Sequence, residues 1–531
     1  MMSARIYLDY AATTPVDARV AAAMHECLTA EGDFANPASV THEPGRRAQA
    51  RVERARAEVA ALIGALPSEI VFTSGATESN NLAILGVARA NADRGRHIVT
   101  SRVEHRAVLD PCRQLEKEGF EVTYLQPDRD GCVAPEKLAA ALRDDTVLAS
   151  LMHVNNETGV IQDIAAFAQA CAARHIPLHS DAAQAVGKLS VDVRAMPISF
   201  LSFTAHKFYG PKGVGALFVC GASRALLAPV IFGGGQERGL RAGTLATHQI
   251  VGFAAACTLA RQQGDEVRRV EMLRERLWSR LTALGGAHLN GEGAPRAAEI
   301  LSVSFEGVDG ESLVTGLTEL AVATGSACSS ASAEPSYVLR ALGRSSALAQ
   351  STLRLSLGRA TTEADIDRAA GAVSREVRRL RAASPAAISA NIAADDSRID
   401  ANEVKIGLDI LGRETRQLFT SLPGAGTLQG PGVVSGEAGS AAAEAWVRFH
   451  ARIAGGSVRD ARFQAHGCPH TLAVAAWITT RLPGRALRSV ALGEPADWAR
   501  ALEVPVEKLG RLLVVEDALQ ACLRCAEKVV E

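Results

Sequence analysis

Apolar and polar residues follow two alternating patterns along the first part of the chain. From about residue 46 to 380, amphipathic stretches such as residues 46–63 place apolar side chains at helical spacing. Between them lie short runs rich in β-branched residues, at 69–73, 97–100 and 146–150, which predict strands. Strands and helices that alternate at this spacing predict an α/β fold with a largely parallel sheet covered by helices.

The pattern changes after Thr244. It predicts one long helix across residues 248–285, then a strand at 299–305 and further helices to about residue 382. These elements indicate a smaller second lobe.

Residues 383–400 are small or polar and have little periodicity, which is typical of a linker. The part of the chain beyond it is predicted to be a separate domain. It opens with a loop at 422–436, continues with strands at 446–453 and 458–465, and ends in helices, of which the first covers 470–482.

Composition and charge narrow the class of protein. With 531 residues, 47% hydrophobic and 22% charged, the chain is long enough for several ordinary domains. A net charge of −1 gives no overall attraction to nucleic acid or to a membrane surface. The N-terminus lacks the apolar core of a signal peptide, and no run approaches the roughly 20 apolar residues of a membrane span, so we expect a cytoplasmic protein.

The ten cysteines are scattered, which is unlike a secreted disulfide framework. Cys522 and Cys525 have the spacing of metal ligands, but no second pair accompanies them, and their neighbours indicate a helix. We therefore expect surface or packing cysteines there and predict no metal.

Lys207 and Asp181 suggest a cofactor. Lys207 lies between a histidine and a glycine-rich turn, and Asp181 ends the predicted strand within residues 176–184. A lysine can hold pyridoxal phosphate as a Schiff base, and an aspartate can keep its pyridine nitrogen protonated. A lone lysine is more often a solvated loop residue, so the hypothesis depends on its surroundings.

Residues 73–80 join a predicted strand to a predicted helix. The backbone N–H groups of Gly75 and Ala76 and the Thr77 hydroxyl could hold a phosphate at the start of that helix. The same residue types also serve as simple turn and cap residues.

Four further polar side chains follow predicted strands or lie near them. His105 can stack on a pyridine ring and move protons, although a capping or core histidine is the alternative. Asn156 and Gln184 can bond a ring oxygen or a substrate carboxylate, and the guanidinium of Arg354 fits a carboxylate bidentately.

Two cysteines stand apart from the other eight. Cys328 lies among Gly, Ser and Ala, which impose few packing constraints, so its thiolate could reach a substrate and carry a group away. Cys468 precedes Pro469 and a predicted helix, so its sulfur should lie at a helix N-terminus that favours the thiolate.

Residues 5–380 resemble the group I cysteine desulfurases of the NifS/IscS type, in the aminotransferase class V family of fold type I pyridoxal-phosphate enzymes. The resemblance rests on several motifs in order: 7–15 (YLDYAATTP), 36–39 (NPAS), 74–81 (SGATESNN), 153–159 (HVNNETG), 205–213 (AHKFYGPKG), 238–244 (RGLRAGT) and 325–328 (GSAC). It implies a large domain with a mostly parallel sheet and a small α+β lobe.

The resemblance also implies roles for individual residues. Lys207 would be the Schiff-base lysine and Cys328 the persulfide-forming cysteine, with His105 stacked on the ring. The other implied contacts are Asp181 to the ring nitrogen, Gln184 to the ring oxygen, Thr77, Thr204 and His206 to the phosphate, and Arg354 with Asn156 to the substrate carboxylate. The family is a homodimer in which the residue matching Thr244 reaches the phosphate of the neighbouring subunit.

Residues from about 402 onward resemble a diverged NifU/IscU iron-sulfur scaffold, on the strength of 460–470 (DARFQAHGCPH) and 514–519 (VVEDAL). This implies a small α+β domain. The scaffold family binds its cluster with three cysteines and an aspartate, of which Cys468 alone remains. The other positions fall near Ala442, Glu444 and Arg511, which argues against cluster assembly by this domain.

The resulting prediction is a cytoplasmic, homodimeric cysteine desulfurase that converts L-cysteine to L-alanine and passes sulfur on for iron-sulfur cluster assembly or other thio-cofactors. Its expected domains are 1–382, with a large lobe at about 15–260 and a small lobe from the N-terminal segment and about 261–382, a linker at 383–401, and a scaffold-like domain at 402–531. Cys468 is a possible sulfur acceptor. The alternatives are a selenocysteine lyase, another class V enzyme such as an aminotransferase, and a scaffold or docking protein with residual catalysis.

Overall fold

The computed structural model describes residues 5–324, 335–383, 411–440, 445–487, 490 and 492–530. Cys328 and the predicted linker from residue 384 onward lie outside these ranges. Within them, no helix is long and apolar enough to cross a membrane.

A seven-stranded sheet forms the centre of the first part of the chain. Its strands are β2 (Ile70–Thr73), β3 (His97–Ser101), β4 (Glu121–Leu125), β5 (Thr146–Ser150), β6 (Leu178–Asp181), β7 (Phe200–Thr204) and β8 (Gly215–Val219). They lie in the order β2-β8-β7-β6-β5-β3-β4, and β8 alone runs antiparallel to its neighbours, β2 and β7. The predicted, largely parallel sheet is confirmed.

Helices cover this sheet on both faces: α1 (Ala18–His25), α2 (Glu43–Leu62), α3 (Ala76–Ala90), α4 (Arg106–Lys117), α5 (Pro135–Ala141), α6 (Ile164–Ala172) and α7 (Thr247–Ala260). Helices α2, α6 and α7 share one apolar cluster, whereas α3 and α4 share another. Because both faces are covered, every residue of β5, β7 and β8 is buried.

The second lobe holds α8 (Gly264–Thr282), β9 (Ala287–Leu289), β10 (Ile300–Phe305), α9 (Gly310–Gly316), β11 (Leu320–Ala321), β12 (Ala323–Thr324), α10 (Tyr337–Ala341), α11 (Ser346–Gln350), β13 (Thr352–Ser356) and α12 (Glu363–Ala383). Its antiparallel sheet has the order β12-β13-β10-β9. The N-terminal strand β1 (Ile6–Tyr7) pairs with β11, so the start of the chain belongs to this lobe.

The prediction of one helix across 248–285 is wrong. Helix α7 ends at Ala260 and α8 begins at Gly264. The three residues between them, 261–263, are polar, and Gly264 at the start of α8 is a poor helix former. The two helices also bury different faces, since Phe253 of α7 packs under the large sheet and Leu277 of α8 packs in the second lobe.

The C-terminal part contains α13 (Arg413–Ser421), β14 (Val433–Ser440), β15 (Ala445–Ala454), β16 (Ser457–His466), α14 (Pro469–Arg481), α15 (Pro495–Ala501) and α16 (Leu509–Val530). The three strands form an antiparallel sheet in chain order. Cys522 and Cys525 lie on α16, as predicted, with Cys522 buried and Cys525 exposed.

The predicted loop at 422–436 is wrong at its end, because β14 begins at Val433. A Cβ atom at Gly436 would lie 2.0 Å from the backbone nitrogen of Cys522. Glycine here allows the strand to approach α16 closely, rather than marking a turn.

The C-terminal part packs directly on the second lobe. Ser312 of α9 donates a hydrogen bond of 2.7 Å to the backbone oxygen of Gly467, and Glu311 pairs with Lys508 at 2.6 Å. The guanidinium of Arg379 lies 4.6 Å from the ring centre of Phe419, and apolar residues of both parts form one buried cluster. The two parts therefore share a core along this contact.

Candidate active site

Lys207 lies just beyond the C-terminal end of β7, an inner strand of the central sheet. The chain turns there into a short 3-10 helix, Ala205–Lys207. The Lys207 Nζ donates to the backbone oxygens of Ala11 and Ala12, at 2.7 and 2.8 Å. The N-terminal segment thus holds the amine in place.

Asp181 ends β6, the middle strand of the seven and the neighbour of β7, and is buried. Its Oδ2 accepts from the Asn80 side chain at 2.7 Å, and its Oδ1 accepts from the backbone N–H of Ala183 at 2.9 Å. Within the described chain, no basic side chain forms an ion pair with this carboxylate. A protonated pyridine nitrogen would supply the missing positive charge, so the site fits pyridoxal phosphate in this respect.

Gly75, Ala76 and Thr77 begin α3, facing β7. Gly75 has a φ of 152°, in a region that L side chains rarely adopt, and its missing Cβ would lie 3.7 Å from the Thr204 hydroxyl. Thr77 is exposed in the first turn. This helix start leaves room and N–H donors for a phosphate.

Thr204 lies beside this helix start, and His206 follows Thr204 two residues later in the chain. The Thr204 hydroxyl donates to the backbone oxygen of Val214 at 3.0 Å, so it must rotate before it can donate to a phosphate. Burial, and then the charge of Lys207, lowers the pKa of His206 to about 4. His206 is therefore neutral near pH 7, with Nδ1 3.1 Å from the Thr13 hydroxyl.

His105 caps the N-terminus of α4. Its Nδ1 accepts the backbone N–H of Ala107 at 3.1 Å, so the neutral ring carries its proton on Nε2. Gln184 donates to the same Ala11 oxygen as Lys207, at 2.8 Å, which brings these two side chains together.

Arg354 of β13 is buried and held at two points. One terminal nitrogen donates to the backbone oxygen of Asn156 and the other to Oδ1 of Asp9, both at 2.9 Å. Its buried Nε has no hydrogen-bond partner. Such an N–H can donate a hydrogen bond to a carboxylate. Asp9 lies in the YLDYAATTP motif, but its sequence position alone does not indicate that it pairs with Arg354.

Thr244 does not line the cavity that contains Lys207. It is exposed and lines a separate surface cleft with Asn36 and Arg56. Arg56 makes a buried, bidentate ion pair with Glu237, at 2.8 and 2.7 Å. Glu237 has a positive φ, so this pair holds a strained backbone seven residues before Thr244 (244 − 237). Sequence spacing alone does not indicate this pair.

Cys468 is the N-cap of α14, which confirms the predicted helix N-terminus. Its thiol is fully buried, with the Thr471 hydroxyl at 3.4 Å and Arg511 beside it. No group of three His, Cys, Asp or Glu side chains in the described ranges could hold a metal. An iron-sulfur cluster does not fit these residues, because a guanidinium lies beside the one remaining thiolate ligand.

Comparisons with known proteins agree with the two parts of the fold. Residues 6–369 match the family described as aminotransferase class-V, and residues 418–528 match the NifU-like N terminal domain. A relative from Azotobacter vinelandii, named cysteine desulfurase IscS, is 54% identical over 385 residues, which are 72% of this chain and 95% of the relative.

Solved structures lead to the same family. A NifS-like protein matches with a TM-score of 0.65 and 36% identity, covering 70% of this chain and 99% of its own. A structure described as SspA in complex with cysteine matches with a TM-score of 0.60 and 38% identity, covering 67% and 100%. The chain therefore belongs to the aminotransferase class-V family, among its cysteine desulfurases, and a NifU-like N terminal domain follows the enzyme domain in the sequence.

Proposed function

We propose that this chain is a pyridoxal-phosphate enzyme that removes sulfur from L-cysteine, releases L-alanine and holds the sulfur as a persulfide on Cys328. The observation that supports this most directly is the arrangement around the N-terminal segment. Lys207 and Gln184 both bond to Ala11, and Asp9 orients Arg354, so one short segment links the cofactor lysine to the carboxylate-binding arginine.

The bound cofactor supplies an electron sink for charge that develops at the substrate Cα. Lys207 would hold the cofactor and would move the proton at Cα, and Asp181 would keep the ring nitrogen charged. Arg354, with Asn156, binds the substrate carboxylate. Gln184 would bond the ring oxygen, and the Nε2 proton of His105 would serve the transfer of a proton to the substrate.

Sulfur leaves the substrate by attack of the Cys328 thiolate. A sulfur–sulfur bond forms as the carbon–sulfur bond breaks, and the carbon skeleton takes up protons to leave as alanine. Cys328 lies outside the described residues, so this role comes from its motif.

The phosphate would bind at the N-terminus of α3, to Gly75, Ala76 and Thr77, with Thr204 and His206 beside it. Thr244 would serve a second copy of the chain in a homodimer. Its exposure, and that of the nearby apolar residues Phe34 and Phe232, supports this assembly.

We propose domain boundaries at 1–382 and 402–531, with Cys468 as a possible second sulfur acceptor. The acceptor beyond this chain would be a protein or small-molecule thiol, as in iron-sulfur or thio-cofactor synthesis. Because Cys468 is buried, its acceptance of sulfur requires that the contact around it first opens.

The test is incubation of the purified protein with L-cysteine and a reductant. We expect alanine and sulfide in equal amounts, and mass spectrometry should locate the added sulfur on Cys328. Preferred use of L-selenocysteine would instead indicate a selenocysteine lyase, and transfer of the amino group to a keto acid would indicate an aminotransferase. Absence of alanine together with stoichiometric iron binding would favour a scaffold.

A further inference from the structure

The buried carboxyl group of Glu157 connects the candidate active site to helix α10 of the second lobe. Glu157 follows β5 and is almost fully buried. The Asn155 side chain holds its backbone, accepting from the N–H groups of Glu157 and Thr158 at 2.9 Å each. Oε2 of Glu157 accepts a hydrogen bond of 2.5 Å from the hydroxyl of Ser336, which lies 179 residues further along the chain.

Ser336 begins helix α10. Its hydroxyl also caps the helix, accepting from the backbone N–H of Leu339 at 3.2 Å. The next residue, Tyr337, donates to the backbone oxygen of Glu104 at 2.7 Å, and Val338 packs on Val103. The first turn of α10 is therefore attached to the site at two points, one of them directly beside His105.

Glu157 also faces the arginine that binds the substrate carboxylate. The neighbouring residue, Asn156, accepts from Arg354 through its backbone oxygen. Burial raises the pKa of Glu157 to about 7, whereas the Ser336 hydroxyl and the charges of Arg354 and His105 lower it. Glu157 thus interacts with the substrate arginine on one side and with α10 on the other.

We propose that Glu157 is a positioning residue for the sulfur-transfer step, acting through its hydrogen bond to Ser336. This rests on the proposed desulfurase function. Ser336 is eight residues beyond Cys328 in the sequence (336 − 328), so the bond fixes the position of the chain at Ser336, close in sequence to the sulfur-accepting thiol. Arg354 keeps Asp9 and Asn156 as partners without Glu157, so binding of the amino acid does not depend on the bond.

The kinetic test compares Glu157→Gln, Ser336→Ala and the double variant of the full chain. Each single change should lower kcat for alanine formation roughly tenfold, since a short, buried hydrogen bond is lost or weakened. KM for L-cysteine, and the concentration that half-saturates the change in cofactor absorbance, should stay within about twofold. The double variant should lose no more than the worse single variant, because both remove one bond.

Two further variants separate positioning from general damage. Ser345→Ala removes the equivalent cap of α11, where Ser345 accepts from Leu348 at 3.3 Å, and should leave kcat unchanged. Ser336→Thr keeps the hydroxyl and should retain most of the activity.

Hydrogen exchange tests the bond without turnover. Amides of residues 337–342 should exchange faster in Glu157→Gln and Ser336→Ala, but not in Ser345→Ala. Unchanged amide exchange of residues 337–342 in Glu157→Gln and Ser336→Ala would overturn the proposal. Three kinetic results would also overturn it: a wild-type kcat in Glu157→Gln, losses in kcat that multiply in the double variant, or a rise in KM equal to the fall in kcat. The wild-type assay alone tests the desulfurase function, because a wild-type chain that makes no alanine from L-cysteine would refute it.

Discussion

Asp9 and Arg354 lie 345 residues apart in the chain, and their side chains form an ion pair with an O–N distance of 2.9 Å. The second terminal nitrogen of Arg354 bonds to Asn156, and Nε is left without a partner in a buried position. The guanidinium is thus oriented by the protein on one edge while another edge can receive a carboxylate. A planar group with several N–H donors is required for this arrangement.

Arg354→Lys should raise KM for L-cysteine roughly tenfold or more, because an ammonium cannot bond Asp9, Asn156 and a carboxylate in the same geometry. Steady-state kinetics measure it. Arg344→Lys is the matched control, since Arg344 of the same lobe also bonds a side chain and a backbone oxygen, those of Asn290 and Leu289. Equal kinetics for the two variants would remove Arg354 from the substrate site.

Lys207→Ala should abolish the visible absorbance of the bound cofactor and alanine formation together, because the amine that attaches the cofactor is lost. Absorption spectra of the purified protein and an alanine assay show both. Lys212→Ala, at an exposed lysine five residues further on (212 − 207), should change neither. A coloured and active Lys207→Ala protein would contradict the assignment.

Cys328→Ser should bind cofactor and L-cysteine but form no alanine, since a hydroxyl is a far poorer nucleophile toward sulfur than a thiolate. The spectral change on adding L-cysteine and the alanine assay separate these two steps. Cys525→Ser, at an exposed cysteine of α16, should behave as wild type. Ordinary turnover in Cys328→Ser would favour a different class V reaction.

The sequence predicted four of the seven strands of the central sheet, β2, β3, β5 and β6. Of these, β2, β3 and β5 are buried runs that contain β-branched residues, as at 146–150, and this pattern is typical of strands covered on both faces. It did not predict the break between α7 and α8, since the amphipathic pattern does not show that two helices pack on different cores. Pairings across the chain were also missed. The two partners of each ion pair, Asp9 with Arg354 and Arg56 with Glu237, are far apart in the sequence, and only the fold brings them together.

Stability should depend on pH through Glu104. This carboxyl is fully buried, which raises its pKa from 4.5 to about 8. The folded state therefore holds the proton more tightly than the unfolded state, so the stability from the neutral carboxyl is complete below about pH 4.5 and is lost as the pH rises toward 8.

Glu104→Gln cannot titrate, while its amide oxygen can still accept from Ser101 and Met152 as Oε1 does, at 2.7 and 2.9 Å. The melting temperature of the variant relative to wild type should therefore increase between pH 5.5 and 8.5. Thermal unfolding of the cofactor-bound protein measures this difference. Glu136→Gln, at an exposed position of α5, should give a constant difference, and a constant difference for Glu104→Gln as well would show that burial does not control its titration.

The contact around Cys468 determines what the NifU-like domain can do. Burial lowers the pKa of Arg511, but Cys468 and the acidic Asp309 and Glu311 raise it overall, so the guanidinium stays charged beside the thiol. Oε2 of Glu311 lies 2.6 Å from the Lys508 Nζ and 3.7 Å from a terminal nitrogen of Arg511. These two ion pairs hold the second lobe against the region around Cys468. A cation occupies the neighbourhood where a cluster would need further thiolates.

We therefore expect no stoichiometric iron-sulfur cluster after the full chain is incubated with ferrous iron and sulfide. After incubation with L-cysteine, added sulfur should reach Cys468 faster in Glu311→Lys than in wild type, because two attractions at the contact become repulsions that uncover the thiol. Mass spectrometry of the Cys468 peptide over time measures the rate. Glu319→Lys, which breaks only the exposed pair with Arg375 on the same lobe, should match wild type. A stoichiometric cluster in wild type, or equal rates of sulfur arrival at Cys468 in all three proteins, would show that the contact does not close this site.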